Sequence, residues 1–96
     1  MSTLPLPGND VVLNYVDEGQ GTPVFLLFNG ATLSVEFWGT FAQKLAQHGR
    51  VIRFDARNAG RTQFEGTFTL NDVAADAASL LLHLDVREAV VIGHAW

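Results

Sequence analysis

The hydrophobic positions of the chain form four short runs, separated by polar turns or by stretches with helical spacing. The runs are rich in β-branched and aromatic residues, and Gly, Pro, Asn and Asp lie around them, a pattern typical of β-strands. They span residues 11–16, 24–28, 50–54 and 89–92. The run at residues 24–28 is apolar throughout, which indicates a strand that is covered on both faces.

Two stretches between these runs have the spacing of amphipathic helices. The first is predicted to begin near Ser34, a residue type that favours the N-cap, and to end at Gly49. Its apolar positions are Phe37, Trp38, Phe41, Leu45 and Ala46. The second is predicted to begin at Thr69, with Asp72 three residues later as a variant of the capping box. Its apolar stripe comprises Leu70, Val73, Ala74, Ala77, Leu80, Leu81 and Leu84.

The element order β, β, α, β, α, β predicts an α/β fold. Alternation of this kind implies a mostly parallel sheet with flanking helices and right-handed crossovers. The last run is apolar on both faces, and an uncovered strand of this kind pairs readily with another chain. We therefore expect residues 1–96 to be the N-terminal portion of a single domain without an internal boundary. A missing C-terminal half or a second chain would cover the last strand, and residues 1–96 alone would fold poorly or associate.

Composition narrows the class of protein. The chain has 96 residues, of which 48% are hydrophobic and 17% charged, as in a core-forming protein. The net charge of −4 provides no basic surface for nucleic acid or an anionic membrane, and no apolar run approaches the length of a membrane span. The absence of cysteine excludes thiolate chemistry and disulfides. We expect a soluble, cytoplasmic protein that requires no cofactor and no metal.

Four arginines, at positions 50, 53, 57 and 61, form a loose cluster around the third run. A phosphate-binding role for them is disfavoured, since the six Lys and Arg are otherwise scattered and the net charge is −4. A nucleotide-binding module is also rejected. Gly19-x-Gly21 lies between two strands with no helix after it, whereas a dinucleotide-binding glycine motif opens a helix.

Three loops follow strands at the edge of the sheet where open α/β proteins bind ligands. In the first, Asn29-Gly30 is interpreted either as a turn, which is favoured when the pair is taken alone, or as a site. In the site interpretation, Gly30 lets the backbone N–H of Ala31 point into a cavity and bind developing negative charge.

The other two loops also have two interpretations. Asp55 could accept backbone N–H groups while Arg57 pairs with a carboxylate, and this structural role is favoured over catalysis. In the loop Gly-His-Ala-Trp, His94 and Trp96 could simply pack in the interior. The joint spacing of the three loops is what favours a site.

Taken together, the segments YVDEGQGTPVFLLFNG, FDARNAGRT, FTLNDVAADAASLLLHL and VVIGHAW resemble the N-terminal half of an α/β-hydrolase. The resemblance runs from about Tyr15 to Trp96, and it implies a sheet that is incomplete after the family's fifth strand. Asn29-Gly30 corresponds to the family's His-Gly oxyanion loop, and residues 55–62 correspond to its Asp-x-Arg-Gly-x-Gly-x-Ser loop. Residues 93–96 correspond to the nucleophile elbow, with Ala95 at the nucleophile position.

The resemblance implies roles for particular residues. The N–H groups of Ala31 and Trp96 would form the oxyanion hole, and a His base with its supporting acid would come later in the chain. Residues that line or support the site would be Asn29, Gly30, Asp55, Arg57 and His94. Ala95 has no reactive atom, and loss of the nucleophile costs on the order of 10⁶ in kcat. The chain as given is therefore predicted to be inactive.

Two branches of the family remain open. Gly-His-x-Trp resembles the elbow of haloalkane dehalogenases and epoxide hydrolases, in which Asp is the nucleophile. The loops after the second and third runs look equally like those of serine esterases and enol-lactonases. Ala31 departs from the dehalogenase pattern, and Asn29 departs from the usual His. The prediction is a hydrolase of a small ester, epoxide or haloalkane-like substrate. The alternative is a non-catalytic relative that binds a small molecule or another protein.

Overall fold

The structure is a computed structural model that describes residues 1–8 and 10–95. Within these residues the chain forms one five-stranded sheet with helices on both faces. The strands are β1 (Ser2–Leu6), β2 (Val11–Gly19), β3 (Val24–Phe28), β4 (Arg50–Phe54) and β5 (Val90–Gly93). The helices are a 3₁₀ helix (Val35–Trp38), which continues into α1 (Gly39–Leu45), and α2 (Leu70–His83).

The strand order is β1-β2-β4-β3-β5, and the sheet is mixed. β4, β3 and β5 are parallel, as predicted, whereas β1–β2 and β2–β4 are antiparallel. The antiparallel part begins with β1, which the hydrophobic pattern did not predict. Pro5 lies in β1, and proline is tolerated in an edge strand because the missing N–H need not join the ladder. The α/β class with flanking helices is confirmed.

The two helical layers pack on opposite faces of the sheet because successive strand residues point to opposite sides. Leu26 faces α2, where Val73, Ala77 and Leu80 are buried. Leu27 faces α1 and contributes to a smaller cluster with Ala42 and Val51. The predicted stripe of α2 is wider than the buried one, since Leu70 is 59% exposed.

The prediction for the first helix needs two corrections. The segment begins as a 3₁₀ helix, and the Ser34 hydroxyl bonds to the Glu36 carboxylate at 3.0 Å instead of capping a backbone N–H within the described residues. α1 also ends at Leu45, before Gly49. Gly49 is buried against the Pro23 carbonyl, where a Cβ would overlap the backbone. This glycine therefore allows close packing and does not end the helix.

The edge strand β5 exposes apolar side chains on both faces. Val90 is 49% exposed on the α1 side, and Val91 is 61% exposed on the α2 side. The predicted two-sided apolar edge is thus present in the described residues.

Candidate active site

The loops that follow β3 and β5 meet at one edge of the sheet. β3 and β5 are parallel neighbours, with Phe28 opposite Gly93, so their carboxyl ends lie side by side. The His94 N–H donates to the Phe28 carbonyl at 3.0 Å, and the Ala31 N–H donates to the Ala95 carbonyl at 3.3 Å. The structure therefore brings the predicted oxyanion donor and the predicted nucleophile position into direct contact.

Gly30 makes this close approach possible. Its φ is +99°, in the region that favours glycine, and a Cβ there would lie 2.6 Å from the Ala95 carbonyl oxygen. The same Cβ would lie 3.1 Å from Nδ1 of His94. The turn is thus observed, and it places the loop against residues 94–95. The binding of negative charge by the Ala31 N–H stays a prediction.

The backbone N–H of Ala31 has a partner in this arrangement. An anionic oxygen bound by that N–H would replace the Ala95 carbonyl as acceptor. Trp96, the second predicted oxyanion donor, lies outside the described residues.

Asn29 fixes the start of the loop through its buried side chain. The amide nitrogen donates to the Phe54 carbonyl at 2.7 Å, and the amide oxygen accepts from the indole N–H of Trp38, also at 2.7 Å. Both ends of the amide are thus bonded, which locks its orientation. The sequence suggested Asn29 as a loop residue but did not identify its two partners.

Asp55 is fully buried and holds three segments together. Its carboxylate accepts from the Val35 N–H at 2.8 Å, from the Arg61 N–H at 2.9 Å and from the Asn14 side-chain amide at 2.9 Å. Gly60, with a φ of +51°, lies so close that a Cβ would overlap this carboxylate. The Arg61 N–H is a nearby backbone donor, as the predicted structural role of Asp55 requires. The bonds from Val35 and Asn14 come from distant segments, which that prediction did not include.

Arg57 is directed towards α2. Its Nε and Nη2 atoms bond to the two carboxylate oxygens of Asp76 at 2.8 and 2.9 Å, and its guanidinium lies 4.7 Å from the centre of the Phe64 ring. Hydrogen bonding to Asp76 raises the pKa of Arg57 above its ordinary value, so the residue is a permanent cation. Arg57 therefore supports the loop by connecting it to the helix.

His94 is exposed and packs against the 3₁₀ helix. Its ring lies on that of Phe37, with 4.5 Å between ring centroids and 40° between ring planes. Phe37 in turn contacts Trp38, which contacts Phe41. The predicted packing of His94 is thus observed at the surface and not in the interior.

All four clustered arginines are paired with carboxylates. The pairs are Arg50–Asp17, Arg53–Glu18, Arg57–Asp76 and Arg61–Glu36. Their charges are matched, which agrees with the rejection of a phosphate-binding stripe.

Sequence reasoning missed several residues that support the site. Asn14, in the middle of β2, donates its backbone N–H to the Thr62 hydroxyl at 2.9 Å, and that hydroxyl donates to the Asp55 carbonyl at 2.6 Å. Asp76 lies on the buried side of α2 beside Ala77. A polar residue within an apolar strand or helix face was the available signal, because a buried polar group needs a partner.

Within residues 1–8 and 10–95, no group of three or more His, Cys, Asp or Glu side chains is arranged to hold a metal ion. The helices of that part of the chain are also too short or too polar to cross a membrane.

Comparison with known proteins identifies the family. Residues 23–96 match the family model of the alpha/beta hydrolase fold, and the chain belongs to this family. A non-heme haloperoxidase of Rhodococcus erythropolis is 37% identical over 83 residues, which are 84% of this chain and 30% of that protein. A hydrolase of Pseudomonas aeruginosa has a TM-score of 0.87 and 31% identity, over 96% of this chain and 35% of the other.

A structure from work on carboxylesterases of the thaumarchaeon Nitrososphaera gargenis is also similar, with a TM-score of 0.89 and 30% identity. The match covers 97% of this chain and 36% of the other. The chain thus spans about a third of the length of these relatives.

Proposed function

We propose that the intact protein carries an α/β-hydrolase active site for a small ester, and that Ala95 occupies the position of the nucleophile in this site. The observation that carries the proposal is the contact between the Ala31 N–H and the Ala95 carbonyl, 3.3 Å apart at the carboxyl ends of β3 and β5. A reacting carbonyl placed between these two loops would be close to both a nucleophile at position 95 and a backbone donor at position 31.

The chemistry assigns a task to each part. A side chain at position 95 would attack the electrophilic carbon, and the N–H groups of Ala31 and Trp96 would stabilise the oxyanion. A His base, held by an acid, would accept the proton from the nucleophile, and both would come from later in the sequence. The methyl group of Ala95 has no lone pair with which to attack. The protein with Ala95 is therefore inactive by this mechanism.

An ester is proposed ahead of an epoxide or a haloalkane. The similarity to a structure from work on carboxylesterases, at 30% identity over nearly the whole chain, supports an acyl substrate. The side chain of Ala31 is also a methyl group, which cannot donate a hydrogen bond to a leaving halide. A Ser nucleophile is accordingly favoured over Asp.

The second candidate function is non-catalytic: the protein would bind a small molecule or another protein. Ala95 favours this second candidate, because a protein that keeps the loop geometry without a nucleophilic side chain can still bind a ligand. In either case we propose that β5 is covered, by the C-terminal part of a longer chain or by a second chain.

The experiment restores a nucleophile. Ala95→Ser and Ala95→Asp in the intact protein are assayed with p-nitrophenyl esters, epoxides and haloalkanes. Ala78→Ser, at an exposed position of α2, is the matched control that adds the same hydroxyl elsewhere. We expect Ala95→Ser to hydrolyse esters at least about 10³-fold faster than the parent, within the range that nucleophile loss costs in hydrolases.

The outcomes separate the candidates. Activity only in Ala95→Asp, towards epoxides or haloalkanes, would replace the ester proposal with the other branch of the family. If Ala95→Ser and Ala95→Asp both fold and are both inactive, the hydrolase proposal is contradicted and the non-catalytic binding protein is favoured.

A further inference from the structure

The backbone of Val35, at the far end of the Ala31 loop, is held from both sides by residues at the end of β4. Val35 is fully buried, and its N–H donates to Oδ1 of Asp55 at 2.8 Å. Its carbonyl accepts a hydrogen bond from Nη1 of Arg53. Arg53 and Asp55 are two positions apart on an extended segment, so their side chains leave it on the same side. They therefore hold the two polar groups of a single residue.

Arg53 is itself held in place by β2. Its Nη2 atom lies 3.1 Å from Oε1 of Glu18, and the side chains are 13% and 28% exposed. Val16 is opposite Arg53 in the ladder, and Glu18 is two residues further along on the same face. The planar guanidinium thus bridges the sheet and the Val35 carbonyl with two of its nitrogens. Among the described residues, neither its buried Nε nor Oε1 of Glu18 has a hydrogen-bond partner, so the contact between Arg53 and Glu18 is an ion pair.

The near end of the loop is held by the same part of β4. The Asn29 side chain donates to the carbonyl of Phe54, the residue between Arg53 and Asp55. Three consecutive residues, the last two of β4 and Asp55 directly after it, therefore anchor residues 29 and 35. The Ala31 N–H lies between these anchors in the sequence. Releasing one anchor would give the N–H freedom to turn away from residue 95.

We propose that Arg53, supported by Glu18, is a positioning residue for the N–H of Ala31. The catalytic meaning of this proposal rests on the proposed hydrolase function, whereas its structural effect is measured without turnover. Arg53 acts through the Val35 carbonyl and has no contact with the reacting atoms.

The test uses amide signals in the ¹⁵N-labelled intact protein. In Arg53→Met we expect hydrogen exchange at the Val35 amide to rise about tenfold. The reason is that the charge-assisted hydrogen bond from Arg53 to the Val35 carbonyl is lost, which loosens the segment that carries this amide. We also expect the chemical shift of the Ala31 amide to change. The matched control is Arg50→Met. Arg50 lies on the same strand and bonds to Asp17 at 2.9 and 2.7 Å, and within the described part of the chain its side chain makes no hydrogen bond to Val35. It should leave both signals unchanged.

A conservative variant keeps the test decisive. Arg53→Lys retains the charge but has one ammonium group in place of the bridging guanidinium, so we expect a smaller change in both signals. If Arg53→Met does not fold, Arg53→Lys decides the matter. Unchanged Val35 exchange or an unchanged Ala31 shift in a folded Arg53 variant would overturn the proposal. So would equal changes in Arg50→Met.

The two proposals fail separately. If Ala95→Ser is inactive while the amide signals respond to Arg53, the hydrolase proposal is lost and the positioning role stands. If Ala95→Ser is active while the amide signals do not respond to Arg53, the positioning role is lost and the hydrolase proposal stands.

Discussion

Gly60 is a residue for which both conformation and space exclude a side chain. Its φ is +51°, and an added Cβ would overlap the Asp55 carboxylate, which is bonded to three donors. We expect Gly60→Ala to lower the free energy of unfolding by more than about 2 kcal/mol, from backbone strain plus displacement of Asp55. Gly21→Ala is the control, because Gly21 has a φ of +80° but open space around its Cβ position.

Urea denaturation of the intact protein measures both glycine variants. The control should lose only the strain of about 1–2 kcal/mol. If the free energy of unfolding falls equally in Gly60→Ala and Gly21→Ala, the overlap of the added Cβ with Asp55 has no energetic effect and the prediction is contradicted.

The Arg57–Asp76 pair is a second feature at the residue scale. Both side chains are buried and bonded through two contacts, so removing one partner leaves an uncompensated charge. We expect Arg57→Met to destabilise the protein by about 3–5 kcal/mol, and Arg57→Met/Asp76→Leu to recover a large part of that loss. A double-mutant cycle from urea denaturation checks this, and additive effects of the two single changes would contradict it.

The start of α2 depends on a capping box at the scale of the element. The Thr69 hydroxyl accepts from the Asp72 N–H at 3.2 Å, and the Asp72 carboxylate accepts from the Thr69 N–H at 2.8 Å. We expect Thr69→Ala to cost about 1 kcal/mol of stability. Thr67→Ala, at an exposed position outside the helix, is the control and should have little effect. Thermal unfolding monitored by circular dichroism measures both.

The same capping box makes α2 sensitive to acid. The hydrogen bond from the Thr69 N–H holds the pKa of Asp72 below its ordinary value of 3.8. A carboxyl group whose folded pKa is lowered stabilises the folded state above its unfolded pKa, and this contribution disappears as pH falls through the folded pKa. Asp72→Asn should therefore be less stable than the parent at pH 7 and approach it below about pH 4. Urea midpoints at pH 7 and pH 3 measure the difference, and a pH-independent difference would contradict the prediction.

At the scale of the whole molecule, we expect the exposed edge strand β5 to control whether the 96-residue chain associates. β5 is an edge strand within the described residues, and its two exposed valines form a surface of the kind that pairs with other strands. We expect the 96-residue polypeptide to associate, and Val91→Lys to reduce association by placing a charge on that strand. Leu82→Lys is the control, because Leu82 is 81% exposed on α2 and does not belong to the edge.

Light scattering after size exclusion measures the association. A monomeric parent chain with a cooperative thermal transition would contradict the prediction, and so would an equal effect of the two lysine substitutions.

The sequence by itself determined the elements whose signals are local. β3 and β4 have the predicted bounds because each is a short run of apolar and β-branched residues between turns. The capping box of α2 was predicted from Thr69 and Asp72 because both of its bonds connect residues three positions apart. The order of these elements was also sufficient to predict the α/β class, since alternating strands and helices have few ways to pack.

Tertiary structure alone decided what joins distant residues. β1 was not predicted, because it has a weak pattern of its own and is held by pairing with β2. The sequence also did not identify the partners of Asn29, Asp55 and Arg57, since their hydrogen bonds connect residues 6 to 41 positions apart. A sequence pattern shows that a buried polar group needs a partner, but only the fold determines which distant residue supplies it.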